Sequence, residues 1–305
     1  MTKYEFEHQA MATQFHIEIV GEERDIAENV ANLCFNRIDE LELILSRFVP
    51  DSDISHINRM QSGDEFMLEY ETWEVLKKSV KIQQFTQGAF HIGIAEFMNI
   101  FRATKEGILS EFEMTNALKI AFKEMQSASV FIDPETPKIY CIHQGMKFDL
   151  GAIGKGFALD QIVLLLKEME IYNYAINIGN STVLVKGRSK EDKFWGFTLS
   201  SSQEEIPLEL NDIAISASGS FYQGNHIFDP RTGLNSFEKQ YDRVWVASKS
   251  AAVSDAYATA CFLLEKPVLE EIVVNNPQVV WIAVSEKGKI EFIGKNHLPL
   301  KQTER

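Results

Sequence analysis

The stretch F-D-L-G-A-I-G-K-G-F-A-L-D, from Phe148 to Asp160, sets an apolar lead, glycines at 151, 154 and 156, and then a helical pattern. Phe148 leads through a glycine-rich loop into a helix predicted over Phe157–Met169. Two readings of the glycines stand side by side. Glycine lets backbone approach a ligand closely and adopt positive φ, and a helix N-terminus offers unpaired N–H groups to a phosphate. Lys155 adds a point charge to that picture. The other reading is a tight strand-to-helix turn that binds nothing. The spacing is neither a Walker A loop, which needs a Ser or Thr after the Lys, nor the Rossmann G-x-G-x-x-G order.

Working outward, the runs Tyr174–Ile178 and Thr182–Lys186 surround Gly179, and Val279–Ile293 reads as a hairpin turning at Lys287-Gly288. On the other side, Val130–Ile132 and Lys138–Ile142 flank a Pro-containing turn. Farther back come helices. Ser110–Met125 opens with a capping box of Ser110 and Glu113, Tyr70–Gln84 reads as another helix, and Asp25–Leu45 repeats apolar residues at helical spacing. The opening A-T-Q-F-H-I-E-I-V alternates like a strand. Helices mixed with antiparallel strands predict an α+β fold, a compact body of mixed helices and largely antiparallel sheet. No repeat or low-complexity linker divides residues 1–305, so one domain, open to division into two interlocked lobes, is expected.

Composition narrows the function. At 45% hydrophobic and 24% charged residues the chain is an ordinary globular protein. Its net charge of −14, with no Lys/Arg run to offset it, argues against a nucleic-acid footprint. An acidic protein that handles phosphates needs a metal, backbone amides or a few placed basic side chains. Cys34, Cys141 and Cys261 lie far apart and read as small buried hydrophobes. No run is long enough to span a bilayer, and the N-terminus carries no apolar export segment or lipid-attachment cysteine. The chain as given reads as cytoplasmic, and a trimmed exported chain would read the same.

A second stretch carries candidate chemistry: A-A-V-S-D-A-Y-A-T-A-C-F puts Asp255 and Thr259 four apart on a predicted helix closed by Pro267. A carboxylate beside a hydroxyl on one face is a hard-oxygen pair of the kind Mg²⁺ or Ca²⁺ takes. The alternative is helix capping by Ser250 or Ser254, with Asp255 answering the positive end of the helix dipole. I-S-A-S-G-S-F-Y-Q, Ile215–Gln223, gathers small hydroxyls around Gly219. H-I-F-D-P-R-T-G follows, its D-P-R-T-G a turn signal and its His226 a candidate general base.

In order along the chain these pieces resemble the ApbE-like family, the FAD:protein FMN transferases. The elements are M-A-T at Met11–Thr13, L-S-R-F-V-P-D-S-D-I-S-H-I-N at Leu45–Asn58, G-A-F-H-I at Gly88–Ile92, D-L-G-A-I-G-K-G at Asp149–Gly156, S-G-S at Ser218–Ser220, H-I-F-D-P-R-T-G, and S-D-A-Y-A-T. The resemblance implies Mg²⁺-dependent transfer of the FMN half of FAD to a Ser or Thr hydroxyl of an acceptor protein, with release of AMP. It implies metal ligands at Asp255, Thr259 and the Ala152 carbonyl. FAD contacts would fall at Met11, Phe48, Ala89, Phe90, His91 and Lys155, with Ser218 and Gly219 toward the pyrophosphate and His226 in the base position. Three positions depart from the family's usual pattern. His91 stands where Asp is common, Gly179-Asn180 replaces a double glycine, and Ala12 replaces a glycine. Two other activities are compatible with these residues: flavin binding without transfer, and hydrolysis of FAD to FMN and AMP.

Overall fold

The computed structural model describes residues 1–179, 181–190, 193–219, 228–235 and 240–294. The elements run β1 (Lys3–Ala10), β2 (Thr13–Val20), α1 (Arg24–Leu45), α2 (Asp53–Ile57), β3 (Glu65–Met67), α3 (Tyr70–Phe85), α4 (Ala95–Lys105) and α5 (Glu111–Ser127). Next come β4 (Ser129–Ile132), β5 (Lys138–His143), α6 (Gly154–Glu168), β6 (Tyr174–Ile178), β7 (Thr182–Lys186), β8 (Trp195–Ser200), β9 (Glu205–Leu210) and β10 (Ile213–Gly219). The chain continues with β11 (Phe228–Asp229), β12 (Leu234–Asn235), β13 (Arg243–Ser248), α7 (Ala251–Cys261), α8 (Lys266–Asn275), β14 (Val279–Glu286) and β15 (Lys289–Ile293). The α+β expectation holds.

Contacts divide the chain into two units. The first takes the described residues of Met1–Glu40, Lys155–Tyr222 and Lys239–Arg305. Its frame is an eight-stranded sheet in the order β1-β2-β6-β7-β10-β13-β14-β15, every neighbouring pair antiparallel. Both faces are covered. Phe15, Ile17, Ile176, Ile178, Leu184 and Ala214 pack with Val30 and Ile38 of α1 and Leu159 and Ile162 of α6. Val185, Ile215, Trp245 and Trp281 turn the other way, against Trp195, Leu199, Leu208 and Leu210 of the β8–β9 hairpin. Neighbours along β10 point into two different cores, Ala214 into one and Ile215 into the other, so the strand is buried on both faces. β1 is an edge strand whose exposed side chains are Lys3, Glu5, Glu7 and Gln9.

The second unit, Leu41–Gly154 with the described part of Gln223–Glu238, holds a three-stranded antiparallel sheet, β3-β5-β4, and its own core. Phe97 and Ile100 of α4 and Leu118, Ala121 and Met125 of α5 close around Phe228. Both halves of the predicted capping box are present: Ser110 Oγ accepts from the Glu113 amide, and the Glu113 carboxylate accepts from the Ser110 amide. The D-P-R-T-G turn also forms. Asp229 accepts from the Arg231 amide and takes a bidentate Arg231 guanidinium at 2.7 and 2.9 Å.

Two readings of individual residues change. Pro267 does not close the helix of Asp255; α7 ends at Cys261, and Pro267 stands in the first turn of α8. A proline there loses no hydrogen bond, since first-turn N–H groups have no intrahelical partner. The hydroxyls of I-S-A-S-G belong to strand β10 rather than a loop, with Ser216 fully buried. The three cysteines are free and buried, as expected.

The β1–β2 hairpin turns on Met11 and Ala12, at φ 49° and 57°. Left-handed backbone costs a residue with a Cβ roughly 1–2 kcal/mol, and glycine pays part of that advantage back in unfolded-state entropy. Ala12→Gly is therefore expected to raise stability by about 0.5–1 kcal/mol, read as a higher urea midpoint with an unchanged slope.

Candidate active site

In the first unit the site is built where α6 meets the start of α7. Gly156 sits in the first turn of α6, and a Cβ on it would stand 2.6 Å from the Ala251 carbonyl carbon and 2.8 Å from the Ala252 nitrogen. Only a residue without a side chain permits that approach. Gly156 thus serves the packing of one helix on another, and neither it, Gly151 nor Gly154 adopts positive φ. The approach lets the Gly156 N–H reach Oδ2 of Asp255 at 3.3 Å.

Asp255 is not a cap. Ser250 fills that position, accepting the Val253 N–H, and Asp255 lies beyond the first turn with 8% of its surface exposed. Burial pushes its carboxyl up from the usual carboxylate range, and the Lys155 charge and the Gly156 amide act against that. Thr259, half-buried, lies one turn on, its hydroxyl 3.5 Å from the Asp255 carbonyl oxygen. A buried carboxylate with one long amide hydrogen bond, followed by a hydroxyl at i+4, is a hard-oxygen donor set that suits a small divalent cation. Among the described residues no three His, Cys, Asp or Glu side chains cluster as a softer metal would need. Of the other expected contacts in this unit, Met11 lies on the β1–β2 turn, while Ser218 and Gly219 close β10 opposite Val244 and Arg243.

α7 is fixed from beneath by a chain of buried hydroxyls. Ser254 Oγ lies 2.7 Å from Ser216 Oγ on β10, which lies 3.0 Å from Thr182 Oγ1 on β7. All three residues are at most 1% exposed.

In the second unit the turn carrying Ala152 is held by its own acid. Asp149 accepts the Gly151 N–H at 2.7 Å and the Arg47 guanidinium at 2.5 Å. That ion pair is largely shielded, the side chains being 10% and 17% exposed, so it is screened far less than a surface pair. Asn58 clamps the preceding residue from both sides, donating to the Phe148 carbonyl at 2.9 Å and accepting its N–H at 2.6 Å. The motif at Leu45–Asn58 is therefore largely a brace for the loop at Asp149. Phe48 is 60% exposed, with the guanidinium carbons of Arg47 and Arg102 at 4.2 and 4.9 Å from its ring centre.

Ala89 and Phe90 are core residues, 1% and 2% exposed. His91 is half-buried, and burial drives its imidazole down to about 4. Its Nδ1 accepts the Gly93 N–H at 2.8 Å, which places the ring proton of the neutral form on Nε2. His226, like Ser220 and Asn180, lies outside the described residues.

A family model described as the ApbE family matches residues 11–282. The chain belongs to the ApbE family. Relatives named FAD:protein FMN transferase from Buchnera aphidicola subsp. Schizaphis graminum and from Vibrio cholerae are 26% and 23% identical to it. Those matches cover 77% and 86% of this chain and 73% and 81% of the relatives. A solved structure of a mutant flavin transferase ApbE from Vibrio cholerae superposes with a TM-score of 0.81 at 20% identity, covering 96% of this chain and 98% of that one. The apo form of Pseudomonas stutzeri flavinyl transferase ApbE gives 0.77 at 18% identity, over 96% and 93%. Within this ApbE-family chain, the structure brings the sequence-expected Asp255 and Lys155 near one another, with Thr259 one turn on, while the bracing roles of Arg47 and Asn58 were not anticipated.

Two outcomes follow for these residues. Gly156→Ala forces α6 and α7 apart and should cost roughly 1–3 kcal/mol, seen as a lower unfolding midpoint. The folded His91 pKa lies below its ordinary value of 6.5, so the unfolded chain takes up the proton first. The stability that His91 contributes above about pH 6.5 is lost as pH falls toward about 4. His91→Gln should flatten that part of the urea-midpoint profile.

Proposed function

We propose that this chain transfers the FMN half of FAD to a Ser or Thr hydroxyl of an acceptor protein and releases AMP. The observation that carries the reading is the buried Asp255 carboxylate, held at the Gly156 amide beside Lys155 and one turn from Thr259. The names of the relatives, FAD:protein FMN transferase, support it.

Asp255 and Thr259 would hold Mg²⁺. When bound, the ion neutralises charge on phosphate oxygens. The chain's own residues do the rest. Lys155 places positive charge beside the pyrophosphate. Phe48 offers an exposed aromatic surface of the kind a flat flavin ring takes. Ser218 and Gly219 approach the pyrophosphate from the end of β10. His91 contributes a neutral Nε2–H donor where the family commonly presents a carboxylate.

The acceptor oxygen forms a bond to the FMN phosphorus as the bond from that phosphorus to the bridging oxygen breaks. AMP leaves with the bridging oxygen, and the acceptor's hydroxyl proton passes to His226. Positioning and charge neutralisation dominate such a reaction, since the protein supplies no electrons. We read residues 1–305 as one family domain acting on this substrate pair.

The test is incubation with FAD, Mg²⁺ and a candidate acceptor domain, followed by intact mass and in-gel flavin fluorescence. Covalent FMN on the acceptor is expected. Tight FAD binding with no label under any divalent metal overturns the proposal, and FMN and AMP released without acceptor would show hydrolysis instead. Asp255→Asn should abolish the rise in unfolding midpoint given by Mg²⁺ or Mn²⁺ and cut labelling by roughly 100-fold or more. The metal-free midpoint should stay within about 3 °C, because the change removes a buried charge without creating a cavity.

A further inference from the structure

The N-terminus of α7 is capped twice. Its own Ser250 covers the Val253 amide, and a carboxylate from the neighbouring helix covers what lies before it. Asp160 of α6 accepts the Ser250 hydroxyl at 2.5 Å, the Ala251 N–H at 2.7 Å and the Ala252 N–H at 3.2 Å. The first amides of a helix have no intrahelical partner and stand at its positive end, so an ionised acceptor there makes short, charge-assisted bonds.

The spacing of the contacts gives this cap a further role. Gly156 and Asp160 are one turn apart on α6, and Ala251 and Asp255 are one turn apart on α7. Gly156 meets Asp255 while Asp160 meets Ala251, so the two helices are pinned at two points one turn apart. Sliding α7 along α6, or rotating it, breaks one pin or the other. The hydroxyl chain through Ser254 holds α7 down on the sheet without touching α6. Losing the Asp160 pin therefore leaves α7 seated but frees its register against Lys155.

We propose that Asp160 is a positioning residue that sets the placement of the Asp255–Thr259 ligand pair against Lys155 by clamping the N-terminus of α7. The inference rests on the cation site argued under the proposed function. Its test is Mn²⁺ binding to the full-length protein, read by electron paramagnetic resonance without FAD, for wild type, Asp160→Asn and Val30→Ala. Val30, buried in α1, provides a core variant that touches neither pin, and its unfolding midpoint is compared with that of Asp160→Asn. Asp160→Asn should bind Mn²⁺ roughly 10- to 100-fold more weakly, while Val30→Ala binds as wild type does. Equal affinity in wild type and Asp160→Asn, or equal weakening in both variants, overturns the positioning role. Absence of Mn²⁺ binding by wild type overturns instead the cation site on which it rests. Should Asp160→Asn fail to fold, Ser250→Ala removes one of the three donors. It should then give a smaller but measurable weakening, and unchanged affinity overturns the inference.

Discussion

The backbone contact between Gly156 and Ala251 is the constraint on which the site depends. Two helices can approach this closely only where one of them has no side chain, and the approach presents an amide to a carboxylate that is otherwise shut away from water. Burial of an unpaired charge is costly, and the structure holds this one where Lys155 and a main-chain donor partly offset the cost. A carboxylate so placed gains most from a cation, and the hydroxyl one turn away is the ligand type that a hard cation accepts.

The acidic balance of the chain belongs to the same logic. With a net charge of −14, a general electrostatic attraction for a polyphosphate ligand is absent, and local arrangements must replace it. Lys155 beside Asp255 in one unit, and Arg47 and Arg102 around Phe48 in the other, are local positive charges. Arg47 is already committed to Asp149 and Asn99, which fixes it as a brace rather than a mobile charge.

How much of this could be read from the residues varied with the range of the interaction. Local patterns were legible: the capping box at Ser110, the hairpin at Lys287-Gly288, the D-P-R-T-G turn and the i,i+4 pair of Asp255 and Thr259 all formed. The strands β10 and β13 were harder, because burial on both faces erases the alternation that marks a strand. β8 and β9 do alternate, yet Gly196 and Pro207 argue locally against strands, and only pairing with each other overrides that. Asp160 could not be found from its neighbours, since its partners lie 90 to 92 residues away. The same holds for Gly156. Its glycine left a phosphate loop and a tight turn equally open, and the close approach it permits is to a helix packed against it.

The charged outer row of β1 has a consequence for the molecule's behaviour in company. An eight-stranded antiparallel sheet leaves unpaired main-chain groups along each lateral strand, a template on which another chain's strand could add. Lys3, Glu5 and Glu7 line that border with ions that a docking strand would have to desolvate. A lateral strand so lined is guarded against taking on a foreign one.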